Sequence, residues 1–470
     1  VAALNVRGQT IHRFFNFYID VTPEKIRKKE IRPRNQKLIK ALETIIIDEI
    51  SMVRADLLDC VDTVLRMYGR DATQPFGGVQ MIFVGDLYQL PPVVSRDEAE
   101  IFETHYDSPY FFSAHVMRDC KFDIIELEKV YRQKDRDFVE LLNRVRNNDS
   151  TPEDIAMLNT RVVGDVLHTP VLEKKSPKGK NDLTITLTST NALADDVNEN
   201  RLDALPGRLY ESMADISGDF TKEYYPTATT LRFKVGAQIM MLNNDSKKRW
   251  VNGSIGVIDG CGRDDDGNDV VRVRLADDND IVDVYPFLWE VFKSKLVDGQ
   301  IVSDPVGTFS QLPFRLAWAV TIHKSQGKTF DRVHIDMGRG AFATGQMYVA
   351  LSRCTSFEGI TLKTPIKPSH IRVDYRIPKF LTGFQYQKIA ATSPVVDRQK
   401  VIEQAIAART PIKITYLKPN DTKSSRVIEP LSIGPEEYKG KPFTGLRAFC
   451  RERQDNRIFR VDRILLVEAV

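Results

Sequence analysis

At 470 residues the chain is too long for one hydrophobic core, so about three domains are expected. Hydrophobic residues make up 42% and charged residues 28%, no apolar run approaches the roughly 20 residues that cross a bilayer, and no charged-then-apolar leader opens the sequence. Net charge is only +3, but Arg398 to Val470 carries 15 Lys/Arg against 9 Asp/Glu, so the basic excess sits at the carboxyl end.

Val1 to Phe17 reads as a helix-to-loop passage punctuated by Gly8. Thr10 and His12 are short polar groups flanked by Phe14, Phe15 and Phe17, a mix suited to a sugar-phosphate backbone, although Phe14 and Phe15 suit a core better. Pro23 to Arg34 is a basic loop, expected on the solvated surface. Thr44 to Ile47 is an apolar run that stops on Asp48 and Glu49, as a fully buried strand of a parallel sheet does. The carboxyl end of such a sheet is where ligands bind. There Asp48 is placed to hold a Mg²⁺ that bridges nucleotide phosphates, and Glu49 to deprotonate an attacking water. A strand simply running into solvent has the same look. Arg54 to Tyr68 has helical spacing, and Val79 to Val84 is a second strand ending on an acid, in Gly85-Asp86-Leu87-Tyr88-Gln89. From there Gln89 can sense a γ-phosphate. Arg132 stands before a helix with Phe138, Leu141, Leu142 and Val145 on one face; it reaches across a cleft or makes a surface ion pair.

Lys174 to Lys180 is a polar, basic loop, Leu183 to Leu187 a strand, and Ser189 to Arg201 a helix with Thr190 and Asn191 near its start. Phe233 to Phe309 changes to short alternating strands, the pattern of a small inserted β-barrel. Its Asp264-to-Asn268 stretch lacks the bidentate Glu of a calcium loop and reads as a hairpin turn. Phe314 to Thr321 has helical spacing up to the polar cluster His323-Lys324-Ser325-Gln326-Gly327. Gly345 to Arg353 is an apolar helix that places Arg353 at its end, for which a favourable helix dipole is explanation enough. The five cysteines are scattered without zinc or disulfide spacing and the seven histidines form no cluster, so a reducing, cytoplasmic setting is expected, with no metal beyond one arriving with a nucleotide.

A Gly-rich phosphate loop of the form G-x-x-x-x-G-K-[ST] is absent; Gly327-Lys328-Thr329 is a decoy, because Ile322 stands where the first Gly belongs. The strand and loop that supply it are expected just before Val1. Pro365 to Pro394 reads as a Pro-rich linker. Beyond it come a helix, Gln399 to Arg409, and strands that carry Arg426, Arg447, Arg451 and Arg460, either lining a phosphate-binding groove or forming solvated basic surface.

The order of these motifs carries a resemblance. Gly8-Gln9-Thr10-Ile11-His12, Asp48-Glu49-Ile50-Ser51-Met52, Pro75-Phe76-Gly77-Gly78 with Gly85 to Val93, Tyr131-Arg132, His323 to Gly327 and Ala350-Leu351-Ser352-Arg353 resemble the Pif-type DNA helicases of superfamily one B, relatives of the RecD-type helicases. The resemblance implies an α/β fold with two RecA-like domains, at 1–120 and at 121–232 plus 311–364, an SH3-like β-barrel insert at 233–310, a linker at 365–394 and a last domain at 395–470. It implies ATP and Mg²⁺ as cofactors, and a monomer moving 5′-to-3′ on single-stranded DNA to open duplex, forked or G-quadruplex DNA. Residue by residue it puts Asp48 on Mg²⁺, makes Glu49 the general base, sets Gln89, Gln326 and Gly327 around the nucleotide, and makes Arg132 and Arg353 arginine fingers. Thr10, His12, His323, Lys324 and Ser325 fall on single-stranded DNA, with Asn252-Gly253 nearby. The last domain is similar to WYL domains, small β-barrels that sense ligands or bind nucleic acid, although Thr415 replaces the naming Trp. Without a phosphate loop, the alternative is a catalytically silent nucleic-acid binder on a helicase-like frame.

Overall fold

The computed structural model describes residues 8–18, 20–94, 96–127, 129–164, 183–276, 279–297, 300–338, 340, 343–392, 395–417, 423–438 and 441–470. They fall into two compact units: Val1–Lys121 with Leu127–Arg372, and Phe122–Glu126 with Val373–Val470. The basic loop at Lys174 to Lys180 lies outside the described residues.

In the first unit, the strands Thr44–Ile47 and Gln80–Phe83 pair in parallel, Ile47 opposite Phe83. The first strand is not fully buried as its composition suggested. Ile46 is 66% exposed, and Ile82 and Val84 on the neighbouring strand are also open, because this sheet has two strands and the described residues leave one face largely bare. The amphipathic helix Ala55–Tyr68 buries Leu58, Val61, Val64 and Leu65 completely. Its carboxyl end is locked by the Pro75–Gly78 turn, where Phe76 and Gly77 adopt positive φ and the Phe76 amide donates to Asp62 at 2.6 Å. Pro23–Arg27, expected as surface loop, is a short helix capped by Thr22, and it buries Ile26.

A second, all-parallel sheet runs in the order Ala319–Thr321, Ile185–Thr188, Val333–Asp336, Ile360–Leu362. Every residue of its two central strands is buried, the polar Thr186, Thr188, His334 and Asp336 included. Phe138, Leu141, Leu142 and Val145 pack over this sheet's core, and Leu90, from the loop after Gln89, joins them. The segment Phe314 to Thr321 is two strands and not the expected helix. Phe314–Leu316 pairs antiparallel with Gln238–Met241, and Ala319–Thr321 pairs with Ile185–Thr188. A short run buried on all sides loses the alternation that separates strand from helix.

The inserted region has an antiparallel sheet in the order Ile281–Val284, Asp269–Leu275, Ile255–Arg263, Gln238–Met241, Phe314–Leu316, built around Ile239, Met241, Trp250, Val273 and Phe314. The described pairings give this linear order and include no pair that closes a barrel. Asp264 to Asn268 is a hairpin turn, with Asp264 Oδ1 accepting from the amides of Asp266 and Asn268. A second sheet was not foreseen: Phe287–Val297 and Gln300–Gln311 form a long hairpin beside Asp215–Gly218, packed on Phe220, Trp289 and Phe309.

In the second unit, the expected linker contains a helix, Arg376–Thr392. Pro378 falls in its first turn, where no amide is needed. The helix Val395–Ala408 leads into an antiparallel sheet ordered Asp455–Arg460, Lys441–Cys450, Lys423–Tyr438, Ile412–Leu417, Ile464–Ala469, over a core of Ile402, Ile414, Ile428, Leu446 and Phe459. Among the described residues no helix is long and apolar enough to cross a membrane.

Candidate nucleotide and nucleic-acid site

The two strand-end motifs of the first sheet meet the turn that follows Ala319–Thr321. Glu49 itself takes a left-handed conformation, φ 52° and ψ 43°, an outlier for a residue with a side chain and a common mark of functional sites. The Asp48 carboxylate accepts from the Glu49 amide at 2.9 Å, and the Ile50 amide donates to the Val84 carbonyl at 3.0 Å, which ties the two strand ends together. Gln326 Nε2 donates to Glu49 Oε2 at 2.8 Å and to Gln89 Oε1 at 3.2 Å. Gln89 Nε2 in turn donates to Asp86 at 3.2 Å, and Arg146 donates to the other Asp86 oxygen at 3.3 Å while lying 4.3 Å over the Tyr88 ring. Burial, and then the Asp48 charge, hold the Glu49 carboxyl above the usual carboxylate range; Arg353 and the Gln326 bond oppose them. A raised carboxyl beside a charged partner in a cleft suits a general base.

Arg353 is fully buried, and among the described residues no carboxylate makes a direct contact with it. Its guanidinium donates to the carbonyls of Val349 (3.0 Å), Lys328 (3.3 Å) and Ser325 (3.5 Å) and to the Ser352 hydroxyl (3.0 Å). Burial, with the like charge of Arg132, pushes its pKa down to about 10. Arg132 donates to Thr329 Oγ1 at 2.8 Å and to the Ser352 carbonyl at 3.4 Å, and burial lowers its pKa too. Tyr348 lies in the field of Asp86, Arg146, Arg353 and Arg132, and burial pushes its hydroxyl up to about 12. Asp48, Glu49, Gln89, Gln326, Arg132 and Arg353 are thus brought to one cleft. Sequence reading missed Arg146, although a charged residue on the stripe that carries Phe138 and Leu142 was a signal.

The nucleic-acid candidates divide. Thr10 caps the short helix Ile11–Phe15 by accepting from the Arg13 amide, and it lies 3.4 Å from the Tyr224 hydroxyl; Arg13 stacks over that Tyr224 ring at 4.8 Å. His12 sits edge-on to Phe17. Phe15 and Phe17 are buried, so they are core and not stacking platforms. His323 is half-buried, with burial lowering its pKa, and Lys324 is exposed. Ser325 is corrected: it is fully buried, and its hydroxyl donates to the Ile322 carbonyl at 2.7 Å, so it builds the turn and presents nothing to a strand. Asn252 accepts from Lys328 Nζ at 2.8 Å. Gly327 turns at φ 74°.

Residues 1–154 match the PIF1-like helicase family model. The chain is 32% identical over 388 residues to the ATP-dependent DNA helicase PIF1 of Mus musculus, covering 81% of this chain and 54% of that protein. The crystal structure of Bacteroides sp Pif1 in complex with ADP-AlF4 superposes with a TM-score of 0.73 at 33% identity, covering 82% of this chain and 86% of that one. The chain belongs to the PIF1-like helicase family. Bacteroides Pif1 bound to ssDNA superposes with a TM-score of 0.55 at 33% identity, covering 81% of this chain and 84% of that one. The chain spans about half the length of the curated PIF1 relatives it matches.

Beyond the helicase-like part, residues 399–469 match the WYL domain. Its four candidate arginines do not form one row. Strand alternation sets Arg447 on the face opposite buried Leu446 and Ala448, and Arg451, just past the strand end, shares that outward parity. There Arg447 pairs with Glu436 at 2.6 Å and Arg451 with Glu429 at 2.8 Å. Arg460 pairs with Asp462 at 2.7 Å and lies 5.1 Å over Phe443. Arg426 shares the inward stripe of Ile428, with a guanidinium nitrogen 3.8 Å from Cys450 Sγ.

Proposed function

We propose that the chain is the motor part of an ATP-dependent DNA helicase that moves 5′-to-3′ on single-stranded DNA and opens duplex, forked or G-quadruplex DNA. Its WYL domain adds a second hold on the strand. The observation that carries this reading is the Gln326 bridge to Glu49 and Gln89 in a cleft that also stores Arg132 and Arg353. The donor set fits a nucleotide with its metal: Asp48 is an exposed carboxylate beside a raised one, near the buried Arg353 and the half-buried Arg132, neither of which is salt-bridged to a carboxylate among the described residues. Asp48 would hold a Mg²⁺, which would supply charge neutralisation at the phosphates. Glu49 orients the attacking water and takes its proton. Gln89 and Gln326 exchange their mutual bond for phosphate oxygens, and Arg132 and Arg353 leave their carbonyls to meet the developing charge.

The reading needs a Gly-rich phosphate loop of the form G-x-x-x-x-G-K-[ST], which residues 1–470 do not carry. Glu49→Gln tests the assignment in the protein at its natural length, with intact mass recorded. ATP and DNA binding are expected to persist while DNA-stimulated hydrolysis drops by about 10²-fold or more. Retained hydrolysis removes Glu49 from its role. No hydrolysis in the unaltered protein, with DNA still bound, would leave the silent nucleic-acid binder standing.

A further inference from the structure

The turn from His323 to Lys328 is held on two sides by groups that belong to different parts of the first unit. Internally it is rigid. The Ser325 amide donates to the Thr321 carbonyl at 2.9 Å, the Ser325 hydroxyl to Ile322, the Lys324 amide to Thr321 Oγ1 at 3.2 Å and the Lys328 amide to Ser325 at 3.0 Å. On the nucleotide side, Arg353 Nη1 donates to the Ser325 and Lys328 carbonyls. On the insert side, Lys328 Nζ donates to Asn252, and the Lys328 stem lies against Gly253, where a methyl group would stand 3.4 Å from its Cγ. The Asn252–Gly253 loop is itself fixed to the insert's sheet, through Asn252 N to Asn244 Oδ1 at 2.8 Å and Gly253 N to the Met241 carbonyl at 2.9 Å.

We propose that Lys328 is a positioning residue that couples the nucleotide cleft to the insert: when Arg353 leaves the turn for a phosphate, the turn shifts and the Lys328 grip on Asn252 changes with it. The inference rests on the motor reading and adds a transmission element to it. Arg353 Nη1 cannot serve both the two turn carbonyls and a phosphate. Withdrawing it leaves the Lys328 carbonyl short of a donor, while the Ser325 carbonyl keeps only the Lys328 amide, and a rigid turn answers by moving as a body. The element therefore has two arrangements with different contacts to the ligand, which is what energetic coupling between sites requires. Lys328 is half-buried, and burial and the nearby Arg315 push its pKa down to about 8; the bond to Asn252 is its only side-chain hydrogen bond among the described residues. A half-buried ammonium kept next to a cation is costly if it serves stability alone.

The test uses the protein at its natural length, with ADP–aluminium fluoride and Mg²⁺ as the nucleotide probe and an oligo(dT) strand as the DNA probe. In the unaltered protein the nucleotide probe is expected to change the Kd for DNA by about 5- to 150-fold, the usual span of such coupling, and to alter amide exchange across Trp250 to Ser254. Lys328→Met should bring that ratio close to one and abolish the exchange response, while basal hydrolysis without DNA stays within about twofold of the unaltered protein. Lys328→Arg, which keeps a donor on a long stem, should restore most of the ratio. A uniform loss of DNA affinity with and without nucleotide, with the salt slope reduced by about one phosphate contact, would overturn the proposal and make Lys328 a plain backbone contact. An unchanged ratio in Lys328→Met would overturn it too. Failure of the motor reading looks different: the unaltered protein would then show no nucleotide effect at all.

Discussion

Gly345 stands at the amino end of the helix Gln346–Leu351, which leads to Arg353, with φ 71°. A methyl group on it would meet the Gln89 carbonyl oxygen at 2.2 Å and that of Tyr88 at 2.5 Å, where unstrained contact needs about 3.5 Å. Gly345→Ala therefore has to open the approach between the Gln89 loop and the Arg353 helix by about 1 Å. The two groups follow strands of different sheets, so the collision is relieved by widening the cleft, which also loosens Leu90 in the core it shares with that helix. The left-handed backbone and that loosening together cost about 1–3 kcal/mol. Turnover takes the larger loss, because about 1 Å of misplacement costs roughly 100-fold. Gly77→Ala is the control. Its methyl would lie 2.2 Å from the Leu65 carbonyl oxygen at φ 63°, with helix and turn in one packed layer, so no cleft motion relieves it. Backbone and overpacking terms together give about 2–5 kcal/mol. Urea denaturation of both variants, with DNA-stimulated ATP hydrolysis by Gly345→Ala, separates the cases. The reasoning is refuted by Gly345→Ala that hydrolyses ATP within twofold of the unaltered protein, or by Gly77→Ala that is no less stable than Gly345→Ala.

Because burial and Asp48 hold the Glu49 carboxyl above its ordinary range, the acidic fall of kcat should come at higher pH than for an exposed carboxylate, which a pH–rate profile reads directly. Asp154 points the other way. Its two oxygens accept from Arg144 at 2.8 Å each and one also accepts from the Thr151 amide, so its pKa lies below the usual value; the stability it gives is present above about pH 4 and is lost as pH falls further. Asp154→Asn should lower unfolding free energy by about 1–3 kcal/mol at pH 7 and flatten the acid limb of the stability curve. If the WYL domain holds DNA, Arg447→Ala and Arg451→Ala should each lower the slope of log Kd against log salt for oligo(dT) by about 0.7. Unchanged slopes would return both arginines to their carboxylate partners.

Where a polar group ends a mainly apolar run, its position was legible in the sequence. Asp48, Glu49 and Gln89 follow two short strands that are in fact half-exposed, and Gln326 and Arg353 follow more deeply buried stretches. Legibility failed where the deciding partner is remote. Phe314 to Leu316 is a strand because Gln238–Met241 pairs with it, and nothing local says so. Ser325 reads as surface in a polar cluster, yet the turn folds its hydroxyl inward to the Ile322 carbonyl. The arginines of the last domain looked alike until strand pairing fixed which face each one takes; Arg426 shares Ile428's side and Arg447 lies opposite. The hairpin Phe287–Gln311 went unnoticed because its apolar side chains serve a small satellite core around Phe220, Trp289 and Phe309 and not the main one.

The cleft's three arginines also differ in a way that sorts their roles. Arg146 is matched by the Asp86 carboxylate at 3.3 Å and by the Tyr88 face, so its charge is already answered within the protein. Arg132 and Arg353 are satisfied in hydrogen bonds but not in charge, since all their partners are carbonyls and hydroxyls. Arg353 is driven down to about 10 by burial first and by the like charge of Arg132 second. Two neighbouring guanidiniums, one buried and one half-buried, with no carboxylate in direct contact among the described residues, are costly to keep in a fold. An anion in the cleft offsets that cost, so the same arrangement that penalises the empty site favours a polyphosphate ligand, and Arg146 belongs to the frame that holds the cleft in place.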